Sequence, residues 1–292
     1  MELISDYKND NELRSKFNNL TNEVFGFDFE KWYQRGFWDD RCVCHSIFDD
    51  GKIISNVSTT EFELIINGKQ FNAIQIGAVM TKKEFRGKRL AVELTNKVIE
   101  KYTPEYDFFF LFGHKGVWDY YPKQNFIPIN ECSYSIEINH SINSNEQLRK
   151  LDLSNNEDLE IIIRLTKNRV PVSKTFGVVN DTSIFLFYCL YDYYNNLFYS
   201  DVKDCLLVFT VSNDKIVHLY DVLCEAELNF SDIANLISSE ANDINRIEFH
   251  FTSDYPDINV DPIESELDDK MFFKGDTSLL PTQFKYPKIA HT

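Results

Sequence analysis

Apolar and polar residues alternate along much of the first half of the chain, and this pattern predicts strands. Cys42–Phe48 alternates, and a longer alternating run covers Ile53–Ile66. The Asn67–Gly68 pair that follows is typical of a hairpin turn, and Phe71–Thr81 returns as a third strand. Phe108–Phe112 is apolar at every position, which indicates a strand buried on both faces. Together these segments predict a unit built around a sheet.

Apolar residues at helical spacing predict helices before and between these strands. Residues 11–25 have this spacing, and so do residues 90–101, which separate the third strand from the fully apolar one. A short helix is predicted over residues 29–34, with Asp28 as its cap. Residues 2–7 and 132–138 predict further strands at the two ends of the unit.

A polar stretch rich in Asn and Ser, residues 141–156, predicts a linker between two domains, residues 1–140 and residues 157–292. The second domain begins with a predicted helix and continues with two strands, a helix and a strand over residues 206–251. This order repeats the order of residues 53–112. The repeat predicts an internal duplication at the level of the fold.

The composition and net charge of the chain argue against several classes of function. The chain has 292 residues, enough for two domains, and a formal net charge of −16. Such an acidic chain repels nucleic acid and anionic membranes, and no window of about 20 apolar residues predicts a membrane span. The six cysteines include one close pair, Cys42 and Cys44, without a second pair at zinc-site spacing. We therefore expect buried free thiols, no metal, and a cytoplasmic protein.

One short segment inverts the acidic balance. Arg86, Lys88 and Arg89 lie within four positions, around Gly87, where a strand ends and the helix over residues 90–101 opens. The first amides of a helix have no partner within it and, with the helix dipole, favour an anion. Two interpretations remain open from the residues alone. The segment is either a phosphate site or a charged loop with a turn glycine.

This segment resembles the acetyl-CoA loop of the GNAT superfamily, whose pattern is Gln or Arg, two residues, Gly, one residue, then Gly or Ala. Arg86 and Ala91 match the two ends of the pattern, whereas Arg89 replaces the middle glycine. The resemblance implies that acetyl-CoA is the co-substrate. It implies a cofactor site made of the end of the preceding strand and the loop: Val79, Met80, Thr81, Arg86, Gly87, Lys88, Arg89, Leu90 and Ala91.

A second segment strengthens the resemblance. Residues 120–126 are similar to the family signature Tyr-x-x-x-Gly-Phe, with Asn125 in place of the glycine. Both Gly and Asn tolerate a left-handed backbone at a helix end. The resemblance implies that Tyr121 protonates the leaving thiolate, with Tyr120 as its core-facing neighbour. The alternative is that Tyr121 only packs against the sheet.

The remaining candidates are less constrained. His114 follows the apolar strand and is either a catalytic base or the cap of the next helix. Glu61 could act through water, and Trp38 and Asp39 lie near the segment that shapes the acceptor pocket in the family. In some two-domain relatives the terminal carboxylate acts as the base; for Thr292 we expect a frayed end instead.

The implied fold class is α+β, a mixed, mostly antiparallel twisted sheet flanked by helices, in two tandem GNAT-like domains. The second domain has an acidic segment, residues 223–229, where the phosphate loop would lie, and is expected to lack a cofactor site. The implied function is transfer of an acetyl group from acetyl-CoA to a primary amine of a small molecule or peptide by direct attack. The alternative is a non-catalytic CoA-binding or regulatory protein. The acceptor and the oligomeric state are not indicated.

Overall fold

The structure is a computed structural model that describes residues 1–138, 147–241, 243–265 and 269–292. The strands, in chain order, are β1 (Glu2–Ser5), β2 (Cys42–Asp49), β3 (Lys52–Ile66), β4 (Lys69–Thr81), β5 (Phe108–His114), β6 (Ile127–Ile129), β7 (Glu131–Glu137), β8 (Arg149–Lys150), β9 (Phe176–Val179), β10 (Leu197–Ser200), β11 (Cys205–Val211), β12 (Ile216–Cys224), β13 (Arg246–Phe249), β14 (Ile263–Ser265) and β15 (Asp269–Lys274). The helices are α1 (Asn11–Phe25), α2 (Glu30–Gln34), α3 (Leu90–Tyr102), α4 (Asn156–Asn168), α5 (Thr182–Tyr191) and α6 (Phe230–Glu240).

The first sheet has the strand order β1-β2-β3-β4-β5-β15-β6, with β9 added beside the end of β3. Its strands are antiparallel except β4 and β5, which are parallel and connected through α3. Leu90, Leu94 and Val98 are buried on one face of α3, as their four-residue spacing predicts. This face packs against one side of the sheet, and α1 packs against the other side with the second domain.

The second sheet has the order β14-β7-β13-β12-β11-β10-β8. Its parallel pair is β12 and β13, connected through α6, which repeats the β4-α3-β5 arrangement of the first sheet. Both sheets are mixed, mostly antiparallel and flanked by helices. The predicted fold class is therefore confirmed.

The two sheets exchange strands. β7 precedes residue 140 but pairs with β13 in the second sheet, and β15 comes from the C-terminal part but pairs with β5 in the first. The predicted division between residues 140 and 157 thus does not coincide with the division between the sheets. Hydrophobic patterning reports that a strand is buried and not which edge it joins. Within the predicted linker, residues 141–146 lie outside the described residues, and residues 149–150 form β8.

Three local predictions are confirmed, those for the hairpin turn, the start of α2 and the cysteines. Asn67 and Gly68 both have positive φ, 49° and 74°, as a tight hairpin turn requires. The Asp28 carboxylate accepts a hydrogen bond from the Glu30 amide at the start of α2. All six cysteines are buried and free. Within the described parts of the chain, no helix is both long and apolar enough to cross a bilayer. In those same parts, no three His, Cys, Asp or Glu side chains form a group that could hold a metal ion.

The sequence analysis did not predict α5, which lies between the two sheets. Its residues are almost all apolar, so they show no helical period. α5 connects the second domain to the first, because the Trp32 indole N–H donates to the Ser183 carbonyl (3.0 Å) and the Ser183 hydroxyl donates to the Phe37 carbonyl (2.6 Å).

Candidate active site

The site is organised by a divergence of the two parallel strands β4 and β5. They pair from Ala73 to Gln75 and, among the described residues, not beyond, although β4 continues to Thr81. On the other edge of β4, a bulge displaces the register with β3, and Ala78 at the bulge has a φ of 41°. The Asn56 side-chain amide holds this bulge by donating to the Ala78 carbonyl (2.9 Å). The predicted cofactor residues 79–81 thus lie on a strand whose second edge faces a gap in the sheet.

The charged segment forms a tight loop between β4 and α3. Gly87 and Arg89 both have left-handed backbones, with φ of 81° and 62°. Arg89 is the residue that turns the chain into α3, so the backbone at the position of the middle glycine is not helical. A left-handed conformation costs a non-glycine residue about 1–2 kcal/mol. This conformation explains why the family pattern has a glycine at this position.

An open cavity of about 270 Å³ adjoins this loop. Its lining includes Thr81, Arg86, Gly87, Arg89 and Tyr120, and no carboxylate among the described residues lines it. The Arg86 guanidinium donates to the Thr81 carbonyl (3.2 Å), which fixes one cation at the end of β4. Cationic side chains beside the start of α3 make this cavity suited to a phosphate group.

A second cavity, of about 180 Å³, meets the same strand at Gly77 and Ala78. It lies between α1, α2, α5 and the C-terminal residues, and its walls are mainly aromatic. Trp32 and Trp38 form one wall as a stacked pair, with ring centroids 5.1 Å apart and planes inclined by 15°. We call this space the aromatic cavity.

The C-terminal residues close this cavity. Tyr286, Ile289 and Ala290 are almost fully buried. With the Gln75 amide in the orientation that satisfies its neighbours, its nitrogen donates to the Ala290 carbonyl (3.1 Å) and its oxygen accepts from the Thr292 amide (2.9 Å). The predicted frayed end is therefore wrong. The sequence suggested a partly polar tail, whereas in the fold the tail packs against the Gln75 side chain of β4.

His291 and Thr292 then reach the cavity wall. The His291 ring stacks on Phe112 of β5, with centroids 3.8 Å apart, and burial holds its pKa well below the ordinary value. Thr292 lies against Gly77, where a methyl group on Gly77 would come within 2.8 Å of the Thr292 carbonyl carbon. Gly77 is thus required by a close approach of the tail.

Comparison with known proteins agrees with this geometry. No curated protein matches the sequence, but residues 8–125 match the model of the acetyltransferase (GNAT) domain. This segment contains α1, the diverging strands, the loop and the Tyr120–Asn125 turn.

Residues 8–125 thus match a GNAT acetyltransferase domain.

Solved structures share the fold of the whole chain. One is a conserved protein of Enterococcus faecalis described as a probable N-acyltransferase, with 12% identity, 92% of this chain and 71% of that chain covered, and a TM-score of 0.62. Others are GCN5-related N-acetyltransferases from Anabaena variabilis (12% identity, 93% and 72% covered, TM-score 0.55) and Kribbella flavida (11% identity, 92% and 71% covered, TM-score 0.54). At these identities the likeness shows the fold.

Within the GNAT domain, the two signature tyrosines have the opposite burial to that expected. Tyr121 is 6% exposed and packs its ring on Phe272, whereas Tyr120 lines the loop cavity. Burial, and then the neighbouring Tyr120, raise the pKa of Tyr121. Its phenol therefore stays protonated at neutral pH. Asn125 has a φ of 62°, as its place in the signature requires.

The other predicted residues are dispersed. Trp38 lies in the aromatic cavity. Asp39 forms a salt bridge with Arg41 (2.9 Å) and does not line that cavity. Glu61 contacts the hydroxyl of Tyr106. It follows Thr60 in sequence, and Thr60 lines the aromatic cavity whereas Glu61 does not. His114 is exposed and accepts a hydrogen bond from the Gly116 amide, which is the capping role weighed against catalysis.

The second domain has an equivalent helix start with different chemistry. The first amides of α6, Phe230 and Ser231, both donate to the Asp257 carboxylate (2.9 Å each). Burial raises the pKa of Asp257, but these hydrogen bonds outweigh it and the pKa is lowered overall. A carboxylate of the protein thus holds the position that a phosphate would take at the start of α3.

Sequence reasoning missed the contribution of α5 and of the tail to the site. Ile184 and Phe187 of α5 line the aromatic cavity, together with His291 and Thr292. The apolar Ile289–Ala290 pair was the available signal for the tail. For α5, the composition indicated burial but no partner.

Proposed function

We propose that this protein transfers an acetyl group from acetyl-CoA to a primary amine of a small molecule or peptide. The observation that carries the proposal is that two cavities meet one strand. The cationic loop cavity adjoins β4 at Thr81, and the aromatic cavity adjoins it at Gly77, four residues away. Four residues of strand span about 13 Å, so an extended arm along the open edge of β4 would connect a phosphate in the first cavity to an acceptor in the second.

The loop would hold the pyrophosphate. Its left-handed residues Gly87 and Arg89 direct the backbone toward the start of α3, where unpaired amides favour an anion. Arg86 and Arg89 line this cavity and supply its positive charge. The thioester of acetyl-CoA supplies the acyl group, and the residues 79–81 would pair with its arm.

The acceptor amine must lose its proton before it attacks. Removal from water disfavours the ammonium form, so an apolar cavity lowers the pKa of a bound amine. Tyr121 would donate its phenolic proton to the departing thiolate, since burial keeps that phenol protonated. Tyr120, in the loop cavity beside Arg89, would contact the cofactor instead. His114 as the base stays a prediction.

The second domain would not bind acetyl-CoA, because Asp257 already occupies the start of α6 and would repel an anion. Its contribution would be the α5 wall of the aromatic cavity. The six buried free thiols support a reducing compartment such as the cytoplasm.

Calorimetry with acetyl-CoA, followed by a thiol-release assay across a panel of primary amines, tests the proposal. We expect binding and amine-dependent release of CoA. Absence of binding at millimolar acetyl-CoA would refute it. Binding without thioester consumption by any amine would favour the alternative, a CoA-binding regulatory protein.

A further inference from the structure

We infer that the acceptor is a monoamine with an apolar, preferably aromatic, body, and that polyamines and other polycations are excluded. This inference rests on the proposed acetyl transfer and specifies its substrate class. It follows from the chemistry of the aromatic cavity, whose wall combines α1, α2, β2–β4, α5 and the tail.

The indole N–H groups of Trp32 and Trp38 both donate hydrogen bonds to carbonyl groups of the protein. The Trp38 indole N–H donates to the Cys42 carbonyl (2.8 Å), and the Trp32 indole N–H donates to the Ser183 carbonyl (3.0 Å). Both rings therefore present apolar surfaces. Phe29 and Phe187 extend this surface, with Phe187 5.6 Å from the rings of both Phe29 and Trp32.

Charged side chains are absent from the wall among the described residues. The nearest acidic candidates by sequence are engaged elsewhere, because Asp39 pairs with Arg41 and Asp40 pairs with Lys8. The hydroxyls of Ser58 and Thr60 point to the sulfur atoms of Cys44 and Cys42 (3.6 Å each). The carboxyl group of Thr292 lies beside Gly77, where the reacting amine would be. A second ammonium group at the Trp32–Phe187 end of the cavity would thus lose water without gaining a carboxylate partner, which is costly.

The size of the cavity supports the same class. About 180 Å³ accommodates one aromatic ring with a short side chain. The cavity meets β4 at Gly77, so the amine at the end of that side chain would point to the gap between β4 and β5. The acidic chain would still attract amines from a distance, but selection would occur inside the cavity through apolar contact.

A matched pair of substrates tests the inference on the unmodified protein. n-Pentylamine and 1,5-diaminopentane have the same five-carbon chain, and the diamine carries a second ammonium group in place of a hydrogen atom at the far end. We expect kcat/KM to favour n-pentylamine by at least about 100-fold. Lengthening a linear monoamine should raise kcat/KM by about fourfold per methylene until the cavity is filled, and 2-phenylethylamine should exceed them all.

Two variants test the wall. Phe187→Asp places a carboxylate in the cavity and should reduce the preference for n-pentylamine over 1,5-diaminopentane at least tenfold. Phe187→Leu keeps the wall apolar and should keep the preference for n-pentylamine over 1,5-diaminopentane. This variant replaces the Asp variant if the latter does not fold, and a lost preference would then count against the inference. Tyr194→Asp, at an exposed position outside the cavity, is the matched control and should change nothing.

Binding is measured separately from turnover by titrating 2-phenylethylamine against the tryptophan fluorescence of the CoA-bound protein. If no amine is acetylated but 2-phenylethylamine changes the fluorescence and 1,5-diaminopentane does not, the proposed function fails, whereas the selectivity of the cavity for apolar monoamines stands. If 1,5-diaminopentane is acetylated as fast as n-pentylamine, the function stands and the inference is overturned. A preference for hexanoyl-CoA over acetyl-CoA, with equal rates for the two amines, would also overturn it by assigning the cavity to the acyl chain.

Discussion

The contact between Gly77 and Thr292 offers a sharp test of how the tail shapes the site. Gly77 does not have a left-handed backbone, so Gly77→Ala introduces only a methyl group. That methyl would lie 2.8 Å from the carbonyl carbon of Thr292 and 2.9 Å from its oxygen. Carbon atoms prefer separations of 3.5–4.0 Å, so the tail has to move by about 1 Å.

The expected energies follow from the contacts that the displacement breaks. The Gln75 amide loses its hydrogen bonds with the amide (2.9 Å) and hydroxyl (3.2 Å) of Thr292, which together stabilise the tail by about 2 kcal/mol. The loss of flexibility in the unfolded chain offsets about 0.4–1 kcal/mol of this. We therefore expect the free energy of unfolding to fall by only about 1 kcal/mol. Turnover depends on geometry at the 1 Å scale, so kcat/KM should fall by about 100-fold.

The assay is a double-mutant cycle. Acetyl transfer and acetyl-CoA binding are measured for the unmodified protein, Gly77→Ala, a chain lacking Thr292, and the combination. Acetyl-CoA affinity should fall far less than turnover, because the loop cavity that would hold the pyrophosphate meets β4 at Thr81, four residues from Gly77. With Thr292 removed, Gly77→Ala should have no additional effect on turnover. Additive losses, or a Gly77→Ala protein with full activity, would refute the placement of the tail.

Three further predictions concern other parts of the molecule. Arg86→Ala should weaken acetyl-CoA binding by tenfold or more in calorimetry, since it removes a charge-assisted contact. Arg89→Gly should weaken binding without lowering Tm, because glycine suits its φ of 62°. If both variants bind acetyl-CoA as tightly as the unmodified protein, the loop assignment is contradicted. Tyr121→Phe should lower kcat by about 100-fold with unchanged acetyl-CoA affinity. Its matched control, Tyr120→Phe, should change acetyl-CoA affinity more than kcat. The reverse pattern would assign the role of general acid to Tyr120. Burial raises the pKa of Glu131 from 4.5 to about 6, so the folded state binds this proton more tightly than the unfolded state. The free energy of unfolding therefore falls by about 2 kcal/mol as the pH rises through this window. Glu131→Gln should remove that part of the fall in thermal denaturation at pH 4.5–7, and an unchanged profile would exclude Glu131 as its source.

The residues themselves determined much of the first domain. Alternation and turn chemistry predicted β2, β3 and β4, because the Asn67–Gly68 hairpin constrains the chain locally. The same is true of the loop, where charge and the start of a helix predicted either a phosphate site or a charged turn. Arg89 shows the limit of this reasoning. Its left-handed backbone is set by the direction in which α3 must leave the sheet.

What only the tertiary structure decided is the acceptor side of the site. Phe187, His291 and Thr292 are far apart along the chain from Trp38, and they meet it because β15 and the tail return to the first sheet and α5 packs between the sheets. Strand exchange of this kind leaves no local signal, since an apolar strand is equally suited to either sheet. The cationic loop before α3 is a local structure and can be predicted from the sequence. The aromatic cavity is a long-range assembly, and it is defined only when the chain has folded.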